Sequence, residues 1–516
     1  GIPKLRVGYN RVFGYYLEVS NAFKDKTPEH YVRKQTLANG ERYITQELKE
    51  LENRILGAHD RSIALEGKLF EEVRRTIAEQ LTREGHDVVI IDKNEDVLQR
   101  CEDTLDVLCI RGNGANARTL LDAGVEKADF VVAATASDET NMLCCLIAKR
   151  LGARYTIARI RDPEYNESLS LLQRETSIDN AINPERATAL EISRLLRFPF
   201  ANNIETFAKG QIEMVEFRVQ ENDVVVGCPL HALSSRLPGI PRVLYAIVER
   251  SGEVIIPNGD FVIHAGDRVH VAGDMVTITN YFRFLGKHSL RVKNVMLLGG
   301  GRISYYLAKM IVPMGMHVAM IEINPKKAES LSESLPHVNV ILGDGTDQEL
   351  LEQEGLESMD AFIAMCDRDE ENLMIGLFAV KQGVPKVIVK NNRLAYADIM
   401  NGMGLDSMVS PKTITCSTIL RYVRALVNSD GTKVERLYRL MNGRVEALEF
   451  IARASDSYIG IPLKNLHIRK NALVAVIARQ GKVIVPFGDD KIEEGDHVVI
   501  IVCENGIGDL NEVISK

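Results

Sequence analysis

The chain has 516 residues, of which 45% are hydrophobic and 26% are charged. This balance is typical of globular protein and excludes a fibrous or largely disordered chain. At about 150 residues per domain, the length predicts about three or four domains. No apolar run approaches the roughly 18 residues of a membrane span, and residues 1–16 lack the apolar core of a signal peptide, so we expect a soluble, cytosolic protein.

The net charge of −8 argues against a chain that mainly coats nucleic acid. Residues 1–74 carry a net charge of +2 and residues 75–516 carry −10, so the two parts differ in sign. The 8 cysteines form no CxxC pair, and the 11 histidines form no HExxH motif. The sequence therefore predicts neither a metal site nor a disulfide framework.

Residues 1–74 open with a strand-like segment. From Asn39 to about Gln80, Leu, Glu, Lys and Arg recur at helical spacing, as at Leu48 and Ile55. This pattern predicts one or two long amphipathic helices.

The rest of the chain contains an internal repeat of two units, called A and B here, in the order A-B-A-B. Three A motifs recur at offsets of 230 or 231 residues, namely 86–92 with 316–322, 112–114 with 343–345, and 137–142 with 368–373. Two B motifs recur as well, namely 227–230 with 460–463 and 252–260 with 481–489. Apolar strands alternating with helical patterns indicate a parallel sheet for A, whereas short strands and tight turns indicate a small β-rich or mixed module for B.

The repeat predicts an α/β protein in which two Rossmann-like parallel-sheet lobes alternate with two small mixed α/β lobes, after a fragment of strand and long helix. The predicted domains are residues 1–74, 75–203, 204–288, 289–428 and 429–516.

The second A unit has the three parts of a nucleotide-binding βαβ unit. Asn294–Leu298 is the predicted strand, 299–304 the glycine turn, Tyr305–Met314 the helix, and Glu322 the acid that ends the next strand. The N–H groups of the turn and of the helix N-terminus suit a phosphate, and the acid suits a ribose hydroxyl. The glycines could instead serve only a tight turn, but a turn alone does not require the acid, so ligand binding is favoured.

The first A unit keeps an acid, Asp92, and a helix over 75–81, but no apolar strand and no glycine turn precede them. Residues 66–74 are charged and helical in pattern instead. The opening strand of this lobe is therefore predicted to be missing. Because that strand is normally central, its loss should expose the edges of the second and fourth strands.

Residues from about 75 to 516 resemble the TrkA family, the cytosolic regulatory subunits of bacterial Trk potassium uptake systems. The resemblance rests on the A-B-A-B order and on the motifs at 298–303, 134–141, 157–161 and 495–498. It implies Rossmann lobes of the regulator-of-potassium-conductance type that bind NAD or NADH, with ATP or ADP as alternatives. The small lobes would serve ligand binding and assembly.

By this resemblance, the second lobe would bind pyrophosphate through its turn residues, which are Gly299, Gly300, Gly301, Arg302 and Ile303. Glu322 would bind ribose, and Cys366 would follow the fourth strand, at a position where the family is expected to have Thr. The matching contact positions of the first lobe are Asp92, Thr135, Ala136 and Arg159. Neither a catalytic residue nor a metal ligand is predicted.

Residues 4–73 resemble a different family, the clamp and returning lever helix of the mismatch-repair protein MutS, in the motifs at 8–16, 33–37 and 41–45. The chain has no GxxxxGK[ST] phosphate loop, so the ATPase of that family is not predicted. The few basic residues of this segment would hold DNA weakly, and a nucleic-acid partner is not expected. A fusion near residue 74, natural or an artefact of sequence assembly, accounts for both resemblances.

The sequence therefore predicts a non-enzymatic regulator that senses NAD(H) or an adenine nucleotide and gates an integral membrane potassium channel or transporter subunit of the Trk type. The resemblance implies a homo-oligomer on the cytoplasmic face of the bacterial inner membrane. Nucleotide binding should be confined to the second A unit or be far stronger there. Two alternatives stay open: a MutS-like DNA repair fragment, and an NAD-dependent oxidoreductase, although the B units show no catalytic Tyr-Lys, His or Cys constellation.

Overall fold

The computed structural model describes most of the chain. The described residues are 5–10, 14–28, 30–37, 39–50, 73–82, 85–163, 165, 178–207, 212–287, 292–392, 405, 407–427, 434–440, 444–469, 471–480, 482–503 and 510–515. None of the helices in these ranges has the length and hydrophobicity that crossing a membrane would require.

The N-terminal segment forms an antiparallel sheet in the order β1-β2-β4-β3. Its strands are β1 (Arg6–Asn10), β2 (Gly14–Ser20), β3 (Val32–Thr36) and β4 (Gly40–Ile44), with a 3-10 turn at Asn21–Lys26. The helix predicted from Asn39 is therefore wrong over β4, because pairing with β2 and β3 and burial of Tyr43 favour an extended chain there. Helical structure starts at Gln46, and the predicted helix over 51–72 lies outside the described residues.

The first Rossmann lobe has its parallel sheet in two pieces. One contains β5 (Val89–Asp92) and β6 (Leu108–Arg111), and the other contains β7 (Phe130–Ala133), β8 (Tyr155–Arg159) and β9 (Asn180–Ile182). The helices cover 73–82, Glu95–Glu102, Ala117–Asp122, Asp138–Leu151 and Pro184–Arg197, with a 3-10 turn at Val125–Lys127. Among the described residues no strand joins β5 to β7, and residues 51–72, where the opening strand is predicted to be missing, lie outside them, so its loss stays a prediction.

The first small lobe is an antiparallel sheet in the order β10-β11-β14-β12-β13. Its strands are β10 (Asn203–Phe207), β11 (Ile212–Arg218), β12 (Leu244–Arg250), β13 (Glu253–Ile255) and β14 (Arg268–Gly273). Its helical segments are Leu230–Ala232, Leu233–Arg236 and Met275–Phe284. The repeated Gly-Asp turn places Asp267 so that both of its oxygens accept from Arg250, at 2.8 and 2.7 Å.

The second Rossmann lobe has a continuous parallel sheet in the order β17-β16-β15-β18-β19-β20. Its strands are β15 (Asn294–Leu298), β16 (His317–Glu322), β17 (Val338–Leu342), β18 (Ala361–Ala364), β19 (Lys386–Lys390) and β20 (Ser407–Val409). Its helical segments are Arg302–Ile311, Val312–Met314, Pro325–Ser334, Gln348–Gln353, Leu356–Ser358, Asp369–Lys381 and Pro411–Val427. The sheet order is that of dinucleotide-binding folds, and the described strands of the first lobe follow the same order with no central strand among them.

The second small lobe repeats the first. Its strands are β21 (Val434–Leu440), β22 (Val445–Ile451), β23 (His467–Ile468), β24 (Ala472–Arg479), β25 (Lys482–Ile484), β26 (His497–Val502) and β27 (Ile514–Ser515), with 3-10 turns at Leu463–Asn465 and Leu510–Glu512. The main sheet runs β21-β22-β26-β24-β25, and β23 pairs with β27. Asp496 accepts from Arg479 at 2.8 Å through each oxygen, as Asp267 does from Arg250.

One helix of each Rossmann lobe packs against a helix of the other lobe. The first lobe's helix Pro184–Arg197 packs on the second lobe's Arg302–Ile311, with Ile192 and Leu307 in one core. Reciprocally, the second lobe's helix Pro411–Val427 packs on helix 73–82 of the first lobe. Each Rossmann lobe therefore depends on the other to bury one of its helices.

The small lobes also share a core, in which Ile212, Met214 and Ile247 meet Val476 and Ile501. Apolar faces of the two main sheets therefore bury one another.

Candidate nucleotide site

The glycine turn of the second lobe joins β15 to the helix Arg302–Ile311. Gly299 has a φ of +92°, a left-handed conformation that favours glycine. A Cβ at Gly299 would lie 3.2 Å from the Met365 carbonyl oxygen, and one at Gly300 would overlap the Leu331 side chain. These two glycines are therefore required by the close approach of the turn to its neighbours.

Gly301 differs from them, because a Cβ there would meet no described atom within 4 Å. It is the N-cap residue of the following helix, which lacks a side-chain cap within the described residues. The helix begins at Arg302, three residues before the predicted start, so Arg302, Ile303 and Ser304 form its first turn. The first N–H groups of a helix have no acceptor within it, and an open, uncapped N-terminus suits an anion.

The buried Glu322 carboxylate lies directly beside the turn. One oxygen accepts the Gly300 N–H at 3.0 Å and the other accepts the Asn324 N–H at 2.9 Å, while Lys327 Nζ lies 3.0 Å from the first. Burial raises the pKa of Glu322, but the N–H bonds and the Lys327 ammonium outweigh it and hold the pKa below its ordinary value of 4.5. Glu322 is therefore a carboxylate at neutral pH and can accept further hydroxyl donors.

Ser304 stands where a third glycine is usual in such turns. It is fully buried, and its hydroxyl donates to the Gly299 carbonyl oxygen. The small side chain thus fits the contact between helix and strand and also stabilises the turn. Of its neighbours, Arg302 is exposed and Ile303 is half-buried.

Cys366 lies just after β18, beside the turn. Its N–H donates to Asn372 Oδ1 at 2.8 Å. Burial raises the pKa of the Cys366 thiol to about 11, so the group is neutral at physiological pH. Cys366 belongs to no group of three or more His, Cys, Asp or Glu that could hold a metal ion, and none is found among the described residues.

A fully buried asparagine ties two loops together in each Rossmann lobe. In the second lobe, Asn372 Nδ2 donates to the carbonyl oxygens of Cys366 and Lys390, at 3.0 and 3.1 Å. In the first lobe, Asn141 accepts the Thr135 N–H at 2.7 Å and donates to the Arg159 carbonyl at 2.9 Å. The repeat contains both asparagines, yet their structural role was not predicted; its sequence signal is their recurrence at one position of the motif.

The predicted contact residues of the first lobe lie at the carboxyl ends of its strands, but on both sides of the divided sheet. Asp92 ends β5, Thr135 and Ala136 follow β7, and Arg159 ends β8. Arg159 is buried and donates to the Thr135 carbonyl oxygen. The structure thus brings Thr135, Ala136 and Arg159 together, whereas Asp92 belongs to the other half-sheet.

Two equivalent glycines show the effect of the missing strand on packing. In the second lobe, a Cβ at Gly345 would overlap Leu298 Cδ1, at the end of the central strand. In the first lobe, a Cβ at Gly114 would have Cys144 Sγ, 3.6 Å away, as its nearest described neighbour. Among the described residues, the first lobe therefore leaves space at a position where the second lobe has none.

The helix that follows the glycine turn also contacts the first lobe. Tyr306 is buried, accepts from Asn183 Nδ2 at 3.1 Å and donates to the Arg161 carbonyl oxygen at 3.3 Å. Displacement of this helix would disturb both hydrogen bonds, so the candidate site is connected to the neighbouring lobe.

The fold and the turn define a class: proteins built from two tandem pairs, each of a Rossmann lobe and a small C-terminal lobe. The TrkA-N domain model matches residues 70–184 and 295–411, and the TrkA-C domain model matches residues 214–286 and 448–515. The chain belongs to the TrkA family of Trk system potassium uptake proteins. Residues 1–61 match the model of MutS family domain IV, which lies outside that family.

Relatives of known name match most of the chain. The Trk system potassium uptake protein TrkA of Vibrio alginolyticus is 33% identical over 437 residues, covering 84% of this chain and 94% of the relative. TrkA homolog 1 of Methanosarcina mazei is 34% identical over 449 residues, covering 86% and 97%. These matches agree with the resemblance predicted from the sequence.

Solved structures agree with the fold. The GsuK channel bound to NAD aligns with a TM-score of 0.55 at 16% identity, covering 83% of this chain and 75% of that one. The GsuK RCK domain aligns with a TM-score of 0.54 at 18% identity, covering 83% and 90%. At these identities the likeness concerns the fold alone.

Proposed function

We propose that residues 75–516 form the regulatory subunit of a potassium uptake transporter, and that the second Rossmann lobe senses NAD(H) or an adenine nucleotide. The observation that carries the proposal is the uncapped helix N-terminus at Gly301, open where a Cβ would stand, with the Glu322 carboxylate beside it. Phosphate and ribose are the groups that such a pair recognises. The NAD bound to the GsuK channel supports this ligand class.

Each group near the turn has a role in this proposal. The N–H groups of Gly301, Arg302 and Ile303 would donate to pyrophosphate oxygens, since the first turn of a helix provides unpaired donors. Glu322 would accept ribose hydroxyls, which its low pKa favours. Cys366, in the loop after the fourth strand of the sheet, would border the nucleotide.

The first lobe would bind nucleotide weakly or not at all. Asp92, Thr135, Ala136 and Arg159 occupy contact positions, but no described glycine turn accompanies them to hold pyrophosphate. Asp92 Oδ2 accepts from the Arg74 guanidinium, whereas Glu322 accepts the Gly300 N–H of the glycine turn at that place.

The mechanism would be a population shift. A nucleotide that binds one arrangement of the lobes more tightly would favour that arrangement, and differences of about 1–3 kcal/mol give typical allosteric coupling. The contact of Tyr306 with Asn183 offers a route from the site to the first lobe. A homo-oligomer on the cytoplasmic face of the inner membrane would pass the change to an integral Trk-type membrane subunit. The names of the relatives support this partner.

Titration of the full chain with NADH tests the proposal, and the fluorescence of the bound NADH is the direct signal. Gly301→Asp should weaken binding at least about 100-fold, or about 2.7 kcal/mol, because its carboxylate would repel phosphate. Aspartate is a favourable N-cap residue and a Cβ has space there, so folding should be unchanged or improved. Loss of binding would then report on the ligand and not on stability.

A matched pair of controls assigns the signal to one lobe. Glu322→Gln should weaken NADH binding, whereas Asp92→Asn should leave it unchanged. Retention of half the stoichiometry in Gly301→Asp would contradict the assignment to the second lobe. Turnover of NADH, or salt-resistant binding of duplex DNA without any NADH binding, would contradict the regulatory function and favour one of the two alternatives.

A further inference from the structure

The Rossmann lobes differ most at the place of the glycine turn. In the second lobe the turn lies between two acceptors. The Glu322 carboxylate accepts the Gly300 N–H at 3.0 Å, and the Met365 carbonyl lies against Gly299. The backbone of the turn thus hydrogen-bonds to the acid that ends the second strand of the sheet and packs against the loop after the fourth.

The first lobe keeps the equivalent acceptors at the same positions of the repeat, with Asp92 matching Glu322 and the Ala134 carbonyl matching that of Met365. Arg74 contacts both acceptors. Its Nη2 donates to Asp92 Oδ2 at 2.8 Å, and its Nη1 donates to the Ala134 carbonyl oxygen at 2.8 Å. One side chain therefore connects the two half-sheets where the second lobe uses backbone.

The remaining oxygen of each acid makes the same contact in both lobes. Asp92 Oδ1 accepts the Asn94 N–H at 3.0 Å, as Glu322 Oε1 accepts the Asn324 N–H at 2.9 Å. The Arg74 guanidinium thus takes the position of the Gly300 N–H in an otherwise equivalent arrangement.

Packing fixes the backbone that carries Arg74. Helix 73–82 places Val73 and Ile77 in one core with Ile157 of β8, and Ala78 in another with Ile90 of β5. Both half-sheets therefore hold the same helix.

The contact is largely shielded from water, since the side chains of Arg74 and Asp92 are 24% and 15% exposed. A guanidinium is planar and presents donors on separate nitrogens, so it can serve two acceptors at once in a fixed geometry. A lysine ammonium has a single nitrogen and cannot reproduce this spacing.

We propose that the first lobe contains a guanidinium-binding site, formed by the Asp92 carboxylate and the Ala134 carbonyl, which Arg74 fills in place of the absent glycine turn. Arg74 acts as a positioning residue that holds the two half-sheets in register. This inference is independent of nucleotide binding by the second lobe.

Chemical rescue of Arg74→Ala in the full chain tests the site, with amide hydrogen exchange of β5 and β7 as the readout. Exchange in both strands should become about tenfold faster, as expected for the loss of charge-assisted hydrogen bonds. Millimolar guanidinium, far below its denaturing range, should restore slow exchange, whereas methylammonium at equal ionic strength should not. Arg75→Ala, an exposed position on the same helix, is the matched control.

Two results would overturn the proposal: equal exchange in Arg74→Ala and Arg75→Ala, or rescue by methylammonium as effective as that by guanidinium. If Arg74→Ala does not fold, Arg74→Lys provides the second measurement. Its control is Arg75→Lys. Faster exchange of β5 and β7 in Arg74→Lys than in this control supports the site, and equal exchange in the two variants refutes it.

Discussion

Alanine substitution at Gly345 and at Gly114 should affect the two Rossmann lobes in opposite directions. In Gly345→Ala the new methyl group would overlap Leu298 Cδ1 and lie 3.1 Å from its Cγ. Leu298 is 2% exposed and cannot turn into solvent. In Gly114→Ala the methyl group would lie 3.6 Å from Cys144 Sγ, an ordinary contact distance.

The magnitudes follow from this geometry. Overpacking a filled core destabilises by about 1–3 kcal/mol, so Gly345→Ala should destabilise the second lobe by that amount. Neither glycine has a positive φ, so alanine fits the backbone at both positions. Gly114→Ala should therefore stabilise the first lobe by about 0.4–1 kcal/mol, because alanine restricts the unfolded chain.

The assay must read each lobe separately, since a chain of several domains does not unfold in a single two-state step. Amide hydrogen exchange of β15 reports on the second lobe, and exchange of β5 and β7 reports on the first. A destabilisation of about 1–3 kcal/mol makes exchange about 5- to 150-fold faster. If Gly114→Ala destabilised its lobe as much as Gly345→Ala, the first lobe would have no space left by a strand, and the reasoning would be refuted.

Two further predictions concern the second lobe. The pKa of Glu322 is lower in the folded than in the unfolded chain, so its carboxylate stabilises the lobe above about pH 4.5 and this contribution is lost as the pH falls through the folded-state pKa. In Glu322→Gln the free energy of unfolding, measured by circular dichroism, should therefore fall less steeply as the pH is lowered. Asn372→Ala should destabilise by about 2–4 kcal/mol, because it leaves the half-buried Cys366 N–H and the buried Lys390 carbonyl without this partner. Faster exchange of β18 and β19 would show it, while the exposed ion-pair variant Glu371→Ala should change stability by less than about 0.5 kcal/mol.

Local patterns were sufficient to predict the parts of the fold that are themselves local. The strand, turn and acid of the second lobe follow one another within 30 residues. Glycine is expected in the turn because it lies directly between a strand and a helix and must turn tightly. The split of the first sheet was also predictable, because Asp92 occurs without the strand and turn that precede Glu322.

Contacts between distant segments were not predictable. β4 has a helical composition, but pairing with β2, which begins 26 residues earlier, makes it a strand. In the sequence, Arg74 is one of several charged residues on a predicted amphipathic helix. Only the fold shows that its side chain donates to the Ala134 carbonyl oxygen, 60 residues away in the chain. The asparagines at 141 and 372 looked like ordinary helix residues, although each side chain is fully buried and satisfies several backbone groups.

Because helix 73–82 of the first lobe packs on the second lobe, the second lobe needs this part of the first lobe to bury its own apolar surface. The apolar side chains of Cys416, Ile419 and Val423 on the second lobe's last helix are covered by Val73 and Ile77. Removing helix 73–82 would expose this apolar surface on the intact lobe. The match to MutS family domain IV ends at residue 61, before the first helix that the second lobe needs to bury its own apolar surface.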